Sequence, residues 1–159
     1  EPVVDRQTML MYRAEAEDTL VTLRELGIAF VAYSPLGRGL LTGQVQKPAD
    51  LPEDDRRRQH PRFQDAHFEK NLELVHRIEA LAGEKRCTPG QIVLAWLLAQ
   101  GDDIVPIPGT KRKERLDENL AALDVKLSPE EVARIADAVP AGAASGTRYP
   151  EAQMKGVHL

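Results

Sequence analysis

Residues 107–119 read IPGTKRKERLDEN, and the first question they raise is one of sign. A short apolar run ends at Pro108-Gly109-Thr110, where a helix is expected to begin, and Lys111, Arg112, Lys113 and Arg115 crowd its opening turns. A helix N-terminus carries partial positive charge and unpaired N–H groups, so it favours Asp and Glu. The same chain obeys that rule at Ser128-Pro129-Glu130-Glu131. Each misplaced surface charge costs only about 0.3–1 kcal/mol, which a fold tolerates. A bound phosphate would reverse the problem, because it accepts the free N–H groups and takes charge-assisted hydrogen bonds from Lys and Arg. Helical spacing puts Lys111, Arg115, Glu118 and Asn119 on one face and Leu116, Leu120 and Leu123 on another, expected to be the buried stripe. Cations followed one turn later by a carboxylate and an amide suit a phosphorylated nucleotide. Lys113 with Asp117 at i,i+4 and Arg115 with Glu118 at i,i+3 suit a merely solvated helix face equally well.

A second stretch with chemical potential is YSPLGRG at 33–39. Tyr33 stands where an apolar run becomes a loop, so its ring can stack on a planar ligand or sit half in the core. Gly37 and Gly39 permit close approach of a ligand to the backbone. Residues 44–66 contain Pro48, Pro52, Pro61 and the run Glu53-Asp54-Asp55-Arg56-Arg57-Arg58 without a period. They read as a long loop, either functional or simply solvated.

The elements that must position these stretches follow from pattern. Residues 2–7 and 104–107 read as short strands, and 28–33 as a continuous apolar strand expected to be buried on both faces. Residues 15–26 form a helix with Leu20 and Leu23 on one side and Gly27 as its left-handed stop. Phe68, Leu72, Val75, Ile78 and Ala82 mark the next helix. Thr88-Pro89-Gly90-Gln91 is a capping box opening a helix with Ile92, Ala95 and a core Trp96, and Ser128-Pro129-Glu130-Glu131 opens the last one. Residues 141–159 show no clear period. Strands alternating with helices imply a parallel sheet, and ligands in such sheets sit beyond the carboxyl ends of the strands, where 33–39 and 108–115 lie.

Composition narrows the function classes. The 159 residues carry a net charge of −4, which argues against general nucleic-acid binding. No apolar run approaches the roughly 20 residues of a membrane helix. Cys87 is the single cysteine, so neither a disulfide within the chain nor a CxxC metal site forms, and a reduced thiol in a cytoplasmic protein is expected. His60, His67, His76 and His158 lie in loop, helix or tail, and none has a Lys neighbour suited to general acid chemistry.

Taken together, PVVDRQ, LRELGIAFVAYSPLGRGLLTG, PRFQ, TPGQIVLAWLLAQG, IVPIPGTKR, LDENLAALDVKLSPEEVARI and RYPEAQM resemble the C-terminal half of an aldo-keto reductase. The resemblance covers nearly the whole chain. It implies the last three strands of a (β/α)8 TIM barrel over residues 1–140, followed by a tail at 141–159 that would lie beside the substrate pocket. It implies NADP(H) as cofactor and a small carbonyl compound as substrate of the complete enzyme. Gln7 would hold the nicotinamide carboxamide and Tyr33 would stack on its ring. Ser34, Pro35, Leu36, Gly37, Arg38 and Gly39 would wrap the pyrophosphate. Gly109, Thr110, Lys111 and Arg115 would surround the 2′-phosphate, with Glu118 and Asn119 at the adenine. Two positions depart from the family pattern: Thr8-Met9-Leu10 replaces an acid and an aromatic after Gln7, and Gly109 stands where a Lys is common. The family's catalytic Asp, Tyr, Lys and His belong to the first half of the barrel, so no catalytic residue is expected here. A start within the sixth strand is expected, as is either a complementary N-terminal half or self-association to cover the open edges. A non-catalytic nucleotide-binding module or an inactive truncated chain shares the same residues.

Overall fold

A computed structural model describes residues 3–6 and 10–155. Three strands, β1 (Val3–Arg6), β2 (Ala29–Tyr33) and β3 (Ile104–Ile107), form one parallel sheet in the order β1-β2-β3. Helix α1 (Arg13–Glu25) crosses from β1 to β2, and α2 (Asp65–Lys85) and α3 (Pro89–Leu98) stand between β2 and β3. Helices α4 (Lys113–Leu120), α5 (Pro129–Ala138) and the short α6 (Glu151–Met154) follow.

Local chemistry explains most boundaries. Gly27 takes φ +65°, and the Ile28 N–H reaches back to the Leu23 carbonyl at 2.8 Å, which ends α1. Thr88 Oγ accepts the Gln91 N–H and the Gln91 side chain accepts the Thr88 N–H, closing the box that starts α3. Ser128 and Glu131 do the same for α5. Arg24 clamps the end of α1 to the turn before β3, with Nε 2.8 Å from Asp103 Oδ2 and Nη2 2.7 Å from the Gln100 carbonyl.

Strand β2 alternates rather than being buried on both faces. Phe30 and Ala32 are fully buried against Leu23 and Ile104, whereas Ala29, Val31 and Tyr33 are only half-buried. The parallel register pairs Val31 with Val105 and Tyr33 with Ile107, so these four side chains share the second face. Val105 and Ile107 are 46% and 45% exposed, so that face is open. The larger core lies away from it, where α2, α3 and α5 pack around Phe68, Val75, Ile78, Ile92, Trp96 and Ile135. Trp96 is core as expected and donates its Nε1–H to the Val132 carbonyl at 3.1 Å.

Other expectations need correction. The helix expected from Thr110 begins at Lys113, because Thr110 Oγ accepts the Arg112 N–H and holds residues 110–112 in a turn. Leu116, Leu120 and Leu123 are not a buried stripe; they are 48%, 54% and 57% exposed. Helix α4 is held by its polar side instead: Thr88 Oγ donates to Glu118 Oε1 at 2.9 Å and Gln91 Nε2 to the Glu118 carbonyl at 3.0 Å, which turns the leucines outward. The long loop at 44–66 has local order, with 3-10 turns at Pro48–Asp50, Arg56–Gln59 and Pro61–Phe63. The tail, without a visible period, holds α6.

Thr88 both caps α3 and anchors α4. Thr88→Ala should therefore lower the unfolding free energy by about 1–2 kcal/mol, the upper part of the range for a lost cap, read from the urea midpoint. Thr88→Ser, which keeps the hydroxyl, should stay within about 0.5 kcal/mol of the parent.

Candidate dinucleotide cleft

Beyond the carboxyl ends of β2 and β3 lies a cleft of about 440 Å³. Ser34, Pro35, Leu36, Arg38 and Gly39 line one side, and Pro108, Gly109, Thr110, Arg115, Glu118 and Asn119 line the other. A third wall comes from the long loop, through Val45, Asp50, Leu51 and Arg57. The two stretches singled out from sequence thus face each other across one space. Tyr33, Gly37 and Lys111 are not among its lining residues: Tyr33 is half-buried beside it, Gly37 is buried and Lys111 is exposed. Gln7 lies outside the described residues.

The loop after β2 owes its shape to four left-handed residues, Ser34 at φ +53°, Gly37 at +63°, Arg38 at +56° and Gly39 at +90°. Gly39 holds φ +90°, which L side chains rarely adopt, and a Cβ there would stand 3.2 Å from Arg57 Nη1, a close contact that a small shift of the arginine would relieve. Gly109 has nothing within 4 Å of such a Cβ, which leaves the opposite wall open.

The cations divide into distinct roles. Arg38 directs its guanidinium away to the tail, with Nη1 3.2 Å from both His60 Nδ1 and the Arg148 carbonyl and the group 4.9 Å over the Tyr149 ring. Arg57 is oriented by Asp55, with Nε 3.0 Å from Oδ1 and Nη2 2.7 Å from Oδ2, and its Nη1 donates to the Arg38 carbonyl at 3.0 Å. That pairing holds the Asp55 carboxyl below the usual carboxylate range. Arg115 is ion-paired with Glu118 Oε2, and Lys113 lies 3.0 Å from Asp117. Both pairs that a solvated face would form are therefore made, one of them inside the cleft. Lys111 and Arg112 precede α4, and Glu114 occupies its first turn, so the helix itself is less at odds with its dipole than the sequence suggests.

The sequence reading missed Arg57 and Asn71. Arg57 sits in a charge run with nothing local to distinguish it. Asn71 carried a signal, since it is spaced three residues after Phe68 and four before Val75, on the buried side of α2, and a polar residue there must find partners. It is fully buried and binds Ser145 and the Arg62 carbonyl. Among the described residues no three His, Cys, Asp or Glu side chains gather into a metal site, and no helix is long and apolar enough to cross a membrane.

The family model for the aldo/keto reductases matches residues 1–140, and the chain belongs to that family. It is 56% identical over 127 residues to the Schizosaccharomyces pombe aldo-keto reductase yakc, whose name specifies NADP(+), covering 80% of this chain and 37% of that protein. A probable aldo-keto reductase of Glycine max is 45% identical over 140 residues, or 87% of this chain and 40% of its own. The glycerol dehydrogenase AKR11B4 from Gluconobacter oxydans superposes with a TM-score of 0.78 at 24% identity, over 94% of this chain and 45% of that one. The fold is accordingly part of a (β/α)8 barrel, and the chain spans about two fifths of the curated relatives it matches.

Burial, followed by the Arg38 charge, holds His60 below its ordinary value of 6.5. Its neutral form is the one that accepts the Arg38 N–H. The sign for stability follows: the contribution is present above about pH 6.5 and erodes as pH falls through the lowered folded value. An NMR titration should place the His60 midpoint below 6.5, and Arg38→Leu should move it back up.

Proposed function

We propose that this chain forms the NADP(H)-binding part of an aldo-keto reductase, which in its complete form reduces aldehydes or ketones to alcohols. The observation that carries the reading is one cleft in which the glycine-rich loop and the start of α4 face each other, with Arg115 on α4 and Arg57 of the long loop lying over the glycine-rich loop. Its residues fit the cofactor. The open backbone at Gly109 and the Thr110 hydroxyl, with Lys111 and Arg115, suit the 2′-phosphate. Glu118 keeps a lone pair on each oxygen beside its bonds to Thr88 and Arg115, so it can still accept an adenine amine, with Asn119 next to it. The backbone from Ser34 to Gly39 suits the pyrophosphate. Because the Arg38 side chain is engaged with the tail, Arg57 joins the set as the guanidinium at that point. Tyr33 and Gln7 belong to the nicotinamide end.

The bound dinucleotide supplies the hydride. The residues of this chain bind and orient it; the general acid that protonates the carbonyl oxygen comes from outside the chain, so residues 1–159 alone are proposed to be inactive. Residues 1–140 make the barrel part and 141–159 the tail. The open faces at Val105, Ile107, Leu116, Leu120 and Leu123 favour a partner that covers them, and a complementary N-terminal half is preferred over self-association because it also brings the missing acid. A small carbonyl substrate, no nucleic acid, no membrane and a cytoplasmic setting, in keeping with the free thiol of Cys87, complete the proposal.

Arg115→Ala should weaken NADPH by tenfold or more in a fluorescence titration and leave NADH nearly unchanged, since only NADPH carries the 2′-phosphate; equal losses would sink the phosphate role. Carbonyl-dependent NADPH oxidation should be absent from the chain alone and present when the first half of the barrel is supplied. Turnover by residues 1–159 alone would refute the assignment of the acid to another segment.

A further inference from the structure

We infer that the C-terminal tail fixes the backbone of the glycine-rich loop, and that Asn71 is the positioning residue that holds the tail in place; its consequence for cofactor affinity rests on the proposed reading of the cleft. Two of the four left-handed residues in this loop, Ser34 and Arg38, are not glycine. L-residues rarely adopt that conformation, and it persists where surrounding contacts over-determine it. For Arg38 those contacts are explicit. Its carbonyl accepts from Arg57 Nη1 at 3.0 Å, and its own Nη1 donates to the Arg148 carbonyl at 3.2 Å and to His60 Nδ1 at 3.2 Å. Its guanidinium covers the Tyr149 ring at 4.9 Å, and the Tyr149 hydroxyl stands 3.5 Å from that of Tyr33. Arg148 and Tyr149 both belong to the tail.

Between α5 and α6 the tail has no regular structure, so something else must set its course. Asn71, 0% exposed, accepts the Ser145 N–H at 2.8 Å and donates to the Ser145 carbonyl at 2.9 Å and to the Arg62 carbonyl at 3.2 Å. One amide side chain thus meets one tail residue on both its N–H and its C=O, which fixes the register as well as the position. Arg62 Nε adds a bond to the Gly146 carbonyl at 3.1 Å, and Gly146 lies so close to residues 61 and 62 that a Cβ would stand 3.2 Å from their backbone. The mechanical sequence therefore runs from Asn71 through Ser145 to Tyr149, and from Tyr149 to Arg38. Neither Asn71 nor Ser145 lines the cleft.

Amide hydrogen exchange on the whole chain tests this. The reporters are the Gly39 and Leu41 N–H groups, both bonded to the Leu36 carbonyl, against the Ala99 N–H bonded to Ala95 as control. Asn71→Ala should speed exchange at Gly39 and Leu41 on the order of tenfold and change Ala99 by less than about threefold. Tyr149→Leu, which leaves the Asn71 clamp intact, should do the same and decides the question if Asn71→Ala fails to fold. In an Arg38→Gly background, where the left-handed residue needs no support, Asn71→Ala should have no further effect on the loop. Opening confined to Ser145 and its neighbours, with Gly39 and Leu41 unmoved in both variants, would overturn the inference. NADPH affinity should fall with loop protection. If the loop responds but the parent chain binds no NADPH, the positioning role stands and the cofactor reading fails.

Discussion

Val31 lies beside Val105 and Tyr33 beside Ile107 across a parallel pair, and that register decides two things together. It sets where both strands end, and it sets which side chains leave each face of the sheet. Because the strands run the same way and finish at the same level, the loop after β2 and the turn after β3 emerge side by side. The cleft is what lies between them. Phe30, Ala32 and Ile104 anchor the other face on α1, so the strands cannot slip without exposing a buried phenylalanine.

Within the cleft, electrostatics and covalent position part company. Arg38 is in the loop nearest the proposed pyrophosphate, yet its charge is used on the tail. Arg57, 19 residues further along the chain, leans back over the same loop and is stiffened there by Asp55. Arg115 is likewise stiffened by Glu118, itself tied to Thr88. Each cation on the cleft walls is thus held by an acid, a carbonyl or a ring before any ligand arrives, which reduces the side-chain ordering that binding would otherwise require.

What could be read from the sequence was what local chemistry decides. Gly27, the Thr88 box and the Ser128 box each act within a few residues, and each terminates or opens an element where expected. The start of α4 differs because Thr110 can cap a helix or close a turn with the same bond to the Arg112 N–H, and here the extended backbone of Arg112 puts the helix start at Lys113. The leucine stripe failed for another reason. Helical spacing shows that Leu116, Leu120 and Leu123 share a side but not which side faces the protein, and here Thr88 and Gln91 claim the opposite one. Of the site, the two facing segments were legible, since strand order alone brings them together. Arg57 was not, because nothing in its charge run marks it and the carbonyl it reaches, that of Arg38, lies 19 residues away; the spacing of Asn71 marks it as a buried polar residue but does not reveal its partner Ser145, 74 residues on.

That 74-residue separation has a consequence in time. During synthesis the glycine-rich loop is made long before the tail, and loops of such length close late, after the local helices have formed. The tail contacts that favour the left-handed backbone of Arg38 therefore become available only after residues 148 and 149 have been made. Arg148, whose carbonyl receives the Arg38 guanidinium, follows it by 110 residues, so this wall of the cleft depends on chain made well after it.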